Sequence, residues 1–196
     1  MRECKTLRLT TCALFISLGI LLPSVFHALN LGSVFSPMHL PVLLCGFLLG
    51  PIYGGVCGAV VPYLSSFITG MPPAFPVALS MTFELATYGI LSGLFYRLLG
   101  AKCPQPTVKV IAALVLAMLG GRIVLGVVNA ILFAIQGSAY SFEIFLSSAF
   151  LKAWPGILLQ LVLVPLTVEV LRSAKILQLY QTPVAAPKED EPTPVE

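Results

Sequence analysis

The sequence predicts an all-α integral membrane bundle of six transmembrane helices with both termini cytoplasmic, and three observations carry that prediction. Of 196 residues, 58% are hydrophobic and 10% charged, with a mean hydropathy of +0.98, a composition outside the range of soluble domains. The 16 prolines and 16 glycines sit within apolar runs that lack the two-residue alternation of a barrel, which fits kinked, closely packed helices. Lys and Arg, finally, are placed on one side of the predicted spans.

The apolar segments cover 6–26, 38–50, 52–69, 75–98, 108–136 and 145–171. The second and third fall short of the roughly 20 residues that a spanning helix needs, so one long helix broken at Gly50-Pro51 is the rival reading. Charge decides between six spans and five. With the N-terminus inside and six spans, Arg2, Lys5, Arg8, Arg97, Lys102, Lys109, Arg172, Lys175 and Lys188 all become cytoplasmic, nine of the 11 Lys and Arg. The other two, Arg122 and Lys152, lie within spans, and the outer loops 28–37, 70–74 and 137–141 carry neither residue type. Five spans would put the cluster from Arg97 to Lys109 outside, against the positive-inside rule. The opening "MRECKTLR" and the run after it imitate a signal peptide, but no small-residue cleavage site follows, so they read as a retained first helix in the plasma membrane. Residues 1–180 are expected to form one membrane domain, and 181–196, acidic and proline-rich, a disordered cytoplasmic tail. The five cysteines show no metal-ligand spacing, and free thiols with no metal and no cofactor are expected.

Ionisable groups at membrane depth cost several kcal/mol unless paired or facing a cavity, which makes each a functional candidate. Arg122, Gly126, Asn129, Phe133 and Gln136 recur at helical spacing on the fifth segment, and Ser80, Glu84, Thr87 and Tyr88 on the fourth. Ser148, Lys152, Gly156 and Gln160 form a third stripe. At a rise of about 1.5 Å per residue, Glu84, Asn129 and Lys152 lie roughly 10–15 Å below the outer surface and Arg122 deeper, near 20 Å. One reading makes Glu84 the structural partner of Arg122 or Lys152. The other notes that two cations against one carboxylate leave a positive charge suited to an anion. His39, between Pro37 and Pro41, is expected at the outer rim of the polar interior, as a ligand contact or as a cap. Trp154 reads either as an interfacial aromatic or as a further contact. The candidate binding set is therefore His39, Glu84, Tyr88, Arg122, Asn129, Lys152 and Trp154. Glu169 and Arg172 read as a helix-end pair.

On the first helix Thr6, Thr10, Ala13 and Ser17 form a stripe of small residues that lets another helix approach closely, and Gly46 with Gly50 and Gly54 with Gly58 repeat that spacing. No phosphate-binding G-x-x-x-x-G-K-[ST] and no hydrolase motif is present, so energy must come from a partner or an ion gradient. The layout, with "PMHLPVLL", "GMPP" and "FELATYG", resembles the substrate-binding S components of energy-coupling factor vitamin transporters over 7–179. That resemblance implies a subunit that binds one vitamin from outside and associates with a transmembrane coupling subunit and two cytoplasmic ATPases. It also implies a first-helix docking motif Ala-x-x-x-Ala. Here Ala13 matches, Ser17 takes the second place, and Thr10 continues the stripe. "PMHLPV" and "GMPP" look most like the pantothenate branch; folate, niacin and a thiamine precursor stay open. The alternatives are a stand-alone ion-coupled carrier or membrane enzyme, and a structural subunit whose buried charges pair with one another.

Overall fold

The computed structural model describes residues 2–28, 37–101, 105–137, 143, 145, 147 and 153–174. Among them the regular structure is helical: α1 (Arg2–Ala28), α2 (His39–Leu49), α3 (Pro51–Thr69), α4 (Leu79–Leu98), α5 (Pro106–Ile135) and α6 (Trp154–Ser173). Five of these are long and apolar enough to cross a membrane, and α2, with 11 residues, is the short one. Its length of about 16 Å is roughly half the hydrocarbon thickness. Of the expected sixth segment the helix from Trp154 onward is described; Lys102, Ser148, Lys152 and the 181–196 tail lie outside the described residues.

The question of one broken helix or two is answered at Gly50. Its φ of 96° and ψ of −179° form a conformation open essentially to glycine alone. Pro51 follows at the first position of α3, where its missing N–H leaves no bond unmade. Gly46 and Gly54 stand four residues to either side, and a Cβ added at Gly54 would lie 2.7 Å from the Gly46 Cα. A continuous helix would hold those residues about 12 Å apart. The chain therefore reverses, and α2 and α3 are a helical hairpin. The Cys45 thiol meets those of Cys12 and Cys57 across α1, α2 and α3, and all three are free and buried.

Helix α4 lies against both arms of this hairpin at backbone distance. A methyl group at Gly89 would run into the Gly54 carbonyl, and one at Gly58 into the Leu85 carbonyl. At Gly93 it would come within 2.6 Å of Pro51 N and 2.7 Å of Gly46 O. Lipid tails are as apolar as leucine, so helices in a membrane gain from close van der Waals contact rather than from expelling water, and glycine permits the closest contact. The Ser92 hydroxyl, fully buried, donates to the Leu43 and Gly89 carbonyls at 3.4 and 3.2 Å. The "GMPP" loop that precedes α4 is held by Ser65 and Thr69 of α3, whose hydroxyls donate to the Met71 carbonyl at 2.9 and 3.0 Å. Antiparallel α5 covers α4, with Gly121 under the Tyr88 ring and Gly120 under Leu91.

The positions of the basic residues follow from these directions. At the end of the bundle that holds the Gly50 turn, the Arg97 guanidinium lies over Gly50 and the Lys109 ammonium stands 3.9 Å from the Tyr96 ring centre. The Tyr96 ring in turn meets Phe47 edge-on at 5.5 Å. Helix α1 runs parallel to α3, with Cys12 donating to the Tyr53 carbonyl at 3.8 Å and Gly19 against Val61, which brings Lys5 and Arg8 to the same end.

Glycine contacts of this kind tolerate no side chain. Gly89→Leu is expected to lower stability by about 3 kcal/mol or more, because the clash is with backbone rather than a movable side chain. Gly70 has a positive φ of 73° but nothing within 4 Å, so Gly70→Asn should cost no more than about 1 kcal/mol. Thermal unfolding of the two variants in detergent checks the contrast.

Candidate binding site

Four of the candidate residues converge in the half of the bundle away from the Gly50 turn. Glu84 enters from the second turn of α4, Tyr88 one turn below it, Arg122 from the middle of α5, and His39 from the first turn of α2. Glu84 Oε1 is 3.0 Å from Arg122 Nη1 and 3.7 Å from His39 Nε2. The rings of His39 and Tyr88 are 5.3 Å apart and tilted by 56°. Exposure is 2% for His39 and Glu84, 7% for Arg122 and 0% for Tyr88. A charged group so placed is tolerable in a membrane only because its partner is there too.

The sequence sets each position locally. Gly121, the neighbour of Arg122, offers no side chain, so the edge of the Tyr88 ring packs directly against the α5 backbone while the long arginine stem reaches past it to Glu84. Pro41 falls in the first turn of α2, where an N–H has no helical partner in any case. Met38, at the cap position, makes no side-chain cap, and both Pro37 and Met38 are buried. The positive end of the α2 dipole thus lies inside the protein, next to the cluster.

The cluster is paired in charge but not complete in hydrogen bonds. The 3.0 Å approach of Arg122 to Glu84 does not align as a hydrogen bond, and Arg122 Nε has no hydrogen-bond partner. The Tyr88 hydroxyl is near enough to both charged groups to interact electrostatically. An arginine has five N–H donors and a carboxylate about four acceptor sites, so Arg122 can hold Glu84 and a second acceptor at once. Leaving such groups unsatisfied costs about 1–3 kcal/mol each, and a cavity that receives a polar ligand is one reason for a fold to keep them.

The expected positions and the observed ones differ at His39. Instead of standing at an open rim it is buried against Glu84 and Tyr88, because the half-length of α2 starts the helix at the depth of the cluster. Asn129 is half-buried, farther along the α5 face of Arg122, and has no hydrogen bond to the cluster among the described residues. Trp154 begins α6 with 59% of its surface exposed and is not brought to the cluster. Lys152 lies outside the described residues. On α1, Cys12, Phe15, Gly19 and Pro23 face the protein, whereas Thr10, Ala13 and Ser17 are exposed, roughly 130° round the helix at 100° per residue. The Thr10 and Ser17 hydroxyls bond back to the Thr6 and Ala13 carbonyls, each at 2.9 Å, so the exposed stripe is small and carries no unmet hydroxyl. The Glu169–Arg172 pair forms at 3.7 Å and is well exposed.

Two features escaped the sequence reading. Gln160, on the third polar stripe but not counted as a contact, is 1% exposed with neither amide atom hydrogen-bonded. Gly89 and Gly93, the counterparts of the hairpin glycines, carry the same four-residue spacing, and that spacing was the signal available.

A family model described as "ECF transporter, substrate-specific component" matches residues 7–168. No curated protein and no solved structure matches the chain. The family match covers more than half of the sequence and all four residues of the buried cluster, and on that ground the chain belongs to the substrate-specific components of ECF transporters.

Proposed function

We propose that this subunit binds a small anionic vitamin, pantothenate in the first place, and passes it inward in complex with a transmembrane coupling subunit and two ATPases. The observation that carries the reading is the buried Glu84–Arg122 pair with its unmet Arg122 Nε donor. Arg122 takes the carboxylate of the ligand while Glu84 holds the guanidinium in place. Tyr88 and Asn129 meet hydroxyl or amide groups, and His39 fixes Glu84 from the α2 side. Lys152 is the second cation available to the carboxylate, and Trp154, at the start of α6, is a further candidate contact. Pantothenate, with one carboxylate, one amide and two hydroxyls, supplies partners of each kind.

Both termini are cytoplasmic in this reading. Lys5, Arg8, Arg97 and Lys109 gather at the end of the bundle with the Gly50 turn, and positive residues accumulate on the cytoplasmic side. The cluster then lies in the outer half, reached from outside. The exposed stripe Thr10, Ala13 and Ser17 is the surface for the coupling subunit, since small residues allow two helices to approach within van der Waals contact of their backbones.

Titration calorimetry in detergent tests the site. Arg122→Met is expected to weaken pantothenate binding by about ten- to a hundredfold or more, the value of a charge-assisted hydrogen bond in a water-poor site. His39→Ala should lose less. Unchanged affinity in both Arg122→Met and Lys152→Met would overturn the anion site. The same Arg122→Met protein without ligand should be less stable, and adding Glu84→Gln should recover part of the loss, because no buried charge is then left alone.

Orientation is tested by accessibility: a membrane-impermeant thiol reagent should label a cysteine at position 138 from outside and one at position 102 only from inside. Labelling of both from outside would reverse the assignment.

Docking is tested by bulk. Ala13→Trp and Ser17→Trp should abolish uptake in the presence of the ATPase module and leave vitamin binding to the isolated subunit nearly intact. Parallel loss of binding would make the stripe internal packing.

A further inference from the structure

Gln160 is the one fully buried amide side chain among the described residues, and its placement is unexplained by packing. It sits on α6 with Gly156, Val164 and Val168 on the same buried face, and α6 packs against α2 and α5, the helices that bring His39 and Arg122. Counted from the start of each helix, Gln160 is about 9 Å along α6 and Glu84 about 8 Å along α4, each in the second turn of its helix. With 1% exposure and neither Oε1 nor Nε2 hydrogen-bonded, the side chain presents a donor and an acceptor side by side with no protein group to receive them.

We infer that Gln160 is a ligand contact, and that the ligand carries a secondary amide or an equivalent adjacent donor and acceptor in addition to its carboxylate. The inference rests on the proposed anion site. A glutamine amide and a secondary amide are complementary: the Nε2 group donates to the ligand carbonyl, and Oε1 accepts from the ligand N–H. The carboxylate lies toward Arg122 and the amide toward α6, so the ligand spans the interior between α4, α5 and α6. Selectivity follows from the same geometry. A site built to hydrogen-bond an amide discriminates against carboxylates without one, because both amide atoms of Gln160 then stay unpaired. Pantothenate meets the requirement and nicotinate does not.

A ligand contact and a structural glutamine predict opposite signs for stability. Gln160→Met keeps the shape and removes both polar atoms. In the ligand-free protein it should raise the melting temperature by about 2–4 °C, since an unmet buried amide is lost. In calorimetry the same variant should bind pantothenate about 5- to 30-fold more weakly and narrow the preference for pantothenate over nicotinate. A lower melting temperature would show that the amide is satisfied within the fold and would overturn the inference. So would unchanged pantothenate affinity in Gln160→Met when Arg122→Met still weakens it, a result that leaves the anion site standing. Wild-type protein that binds neither compound would instead overturn the pantothenate reading on which the inference rests.

Discussion

The close approach of the α2–α3 hairpin to α4 is the constraint on which the rest depends. Glycines at 46, 54, 58, 89 and 93 leave backbone against backbone, and at that distance two helices have one register. The pairs 39 with 84, 46 with 89 and 92, and 50 with 93 and 97 keep an offset of 43 to 47 residues. Parallel α2 and α4 are thus locked in step, and His39 meets Glu84 because the glycines five to seven residues further along have nowhere else to sit. On the other side of α4 the antiparallel seam with α5 is as regular. Gly121 under Tyr88 and Lys109 over Tyr96 hold the level at which Arg122 reaches Glu84.

A membrane interior raises the stakes of that register. Water cannot compensate a charge that misses its partner, so a slip of one turn would strand Glu84 or Arg122 at a cost well beyond that of a surface pair. Backbone packing and the ion pair therefore support one another: the glycines decide where the charges fall, and the charges penalise every other alignment. Yet hydrogen bonding in the cluster is incomplete. Arg122 Nε and the Gln160 amide hold polar capacity that close packing alone would not retain.

The two faces of α1 differ in character. One face is seated on the hairpin through Cys12, Phe15 and Gly19. The other offers small residues whose hydroxyls are already bonded within the helix.

Much of this was legible in the sequence, because the membrane imposes strong local rules. Composition alone placed the chain in a bilayer, hydropathy gave the helices, and the rarity of ionisable residues in spans singled out Glu84, Arg122 and His39. The small stripe on α1 and the polar faces of α4 and α5 followed from helical periodicity, which is a local property. Pairing was not local. Sequence left Glu84 free to choose between Arg122 and Lys152, and set His39 at the rim instead of in the cluster. Those assignments depend on how far one helix is shifted along another, and that shift is set by contacts between residues such as Gly46 and Gly89, more than forty positions apart. The sequence by itself thus determined which residues had to face inward. Only the tertiary structure decided which of them meet, because register between helices is fixed by backbone contact and leaves no trace in the periodicity of either helix.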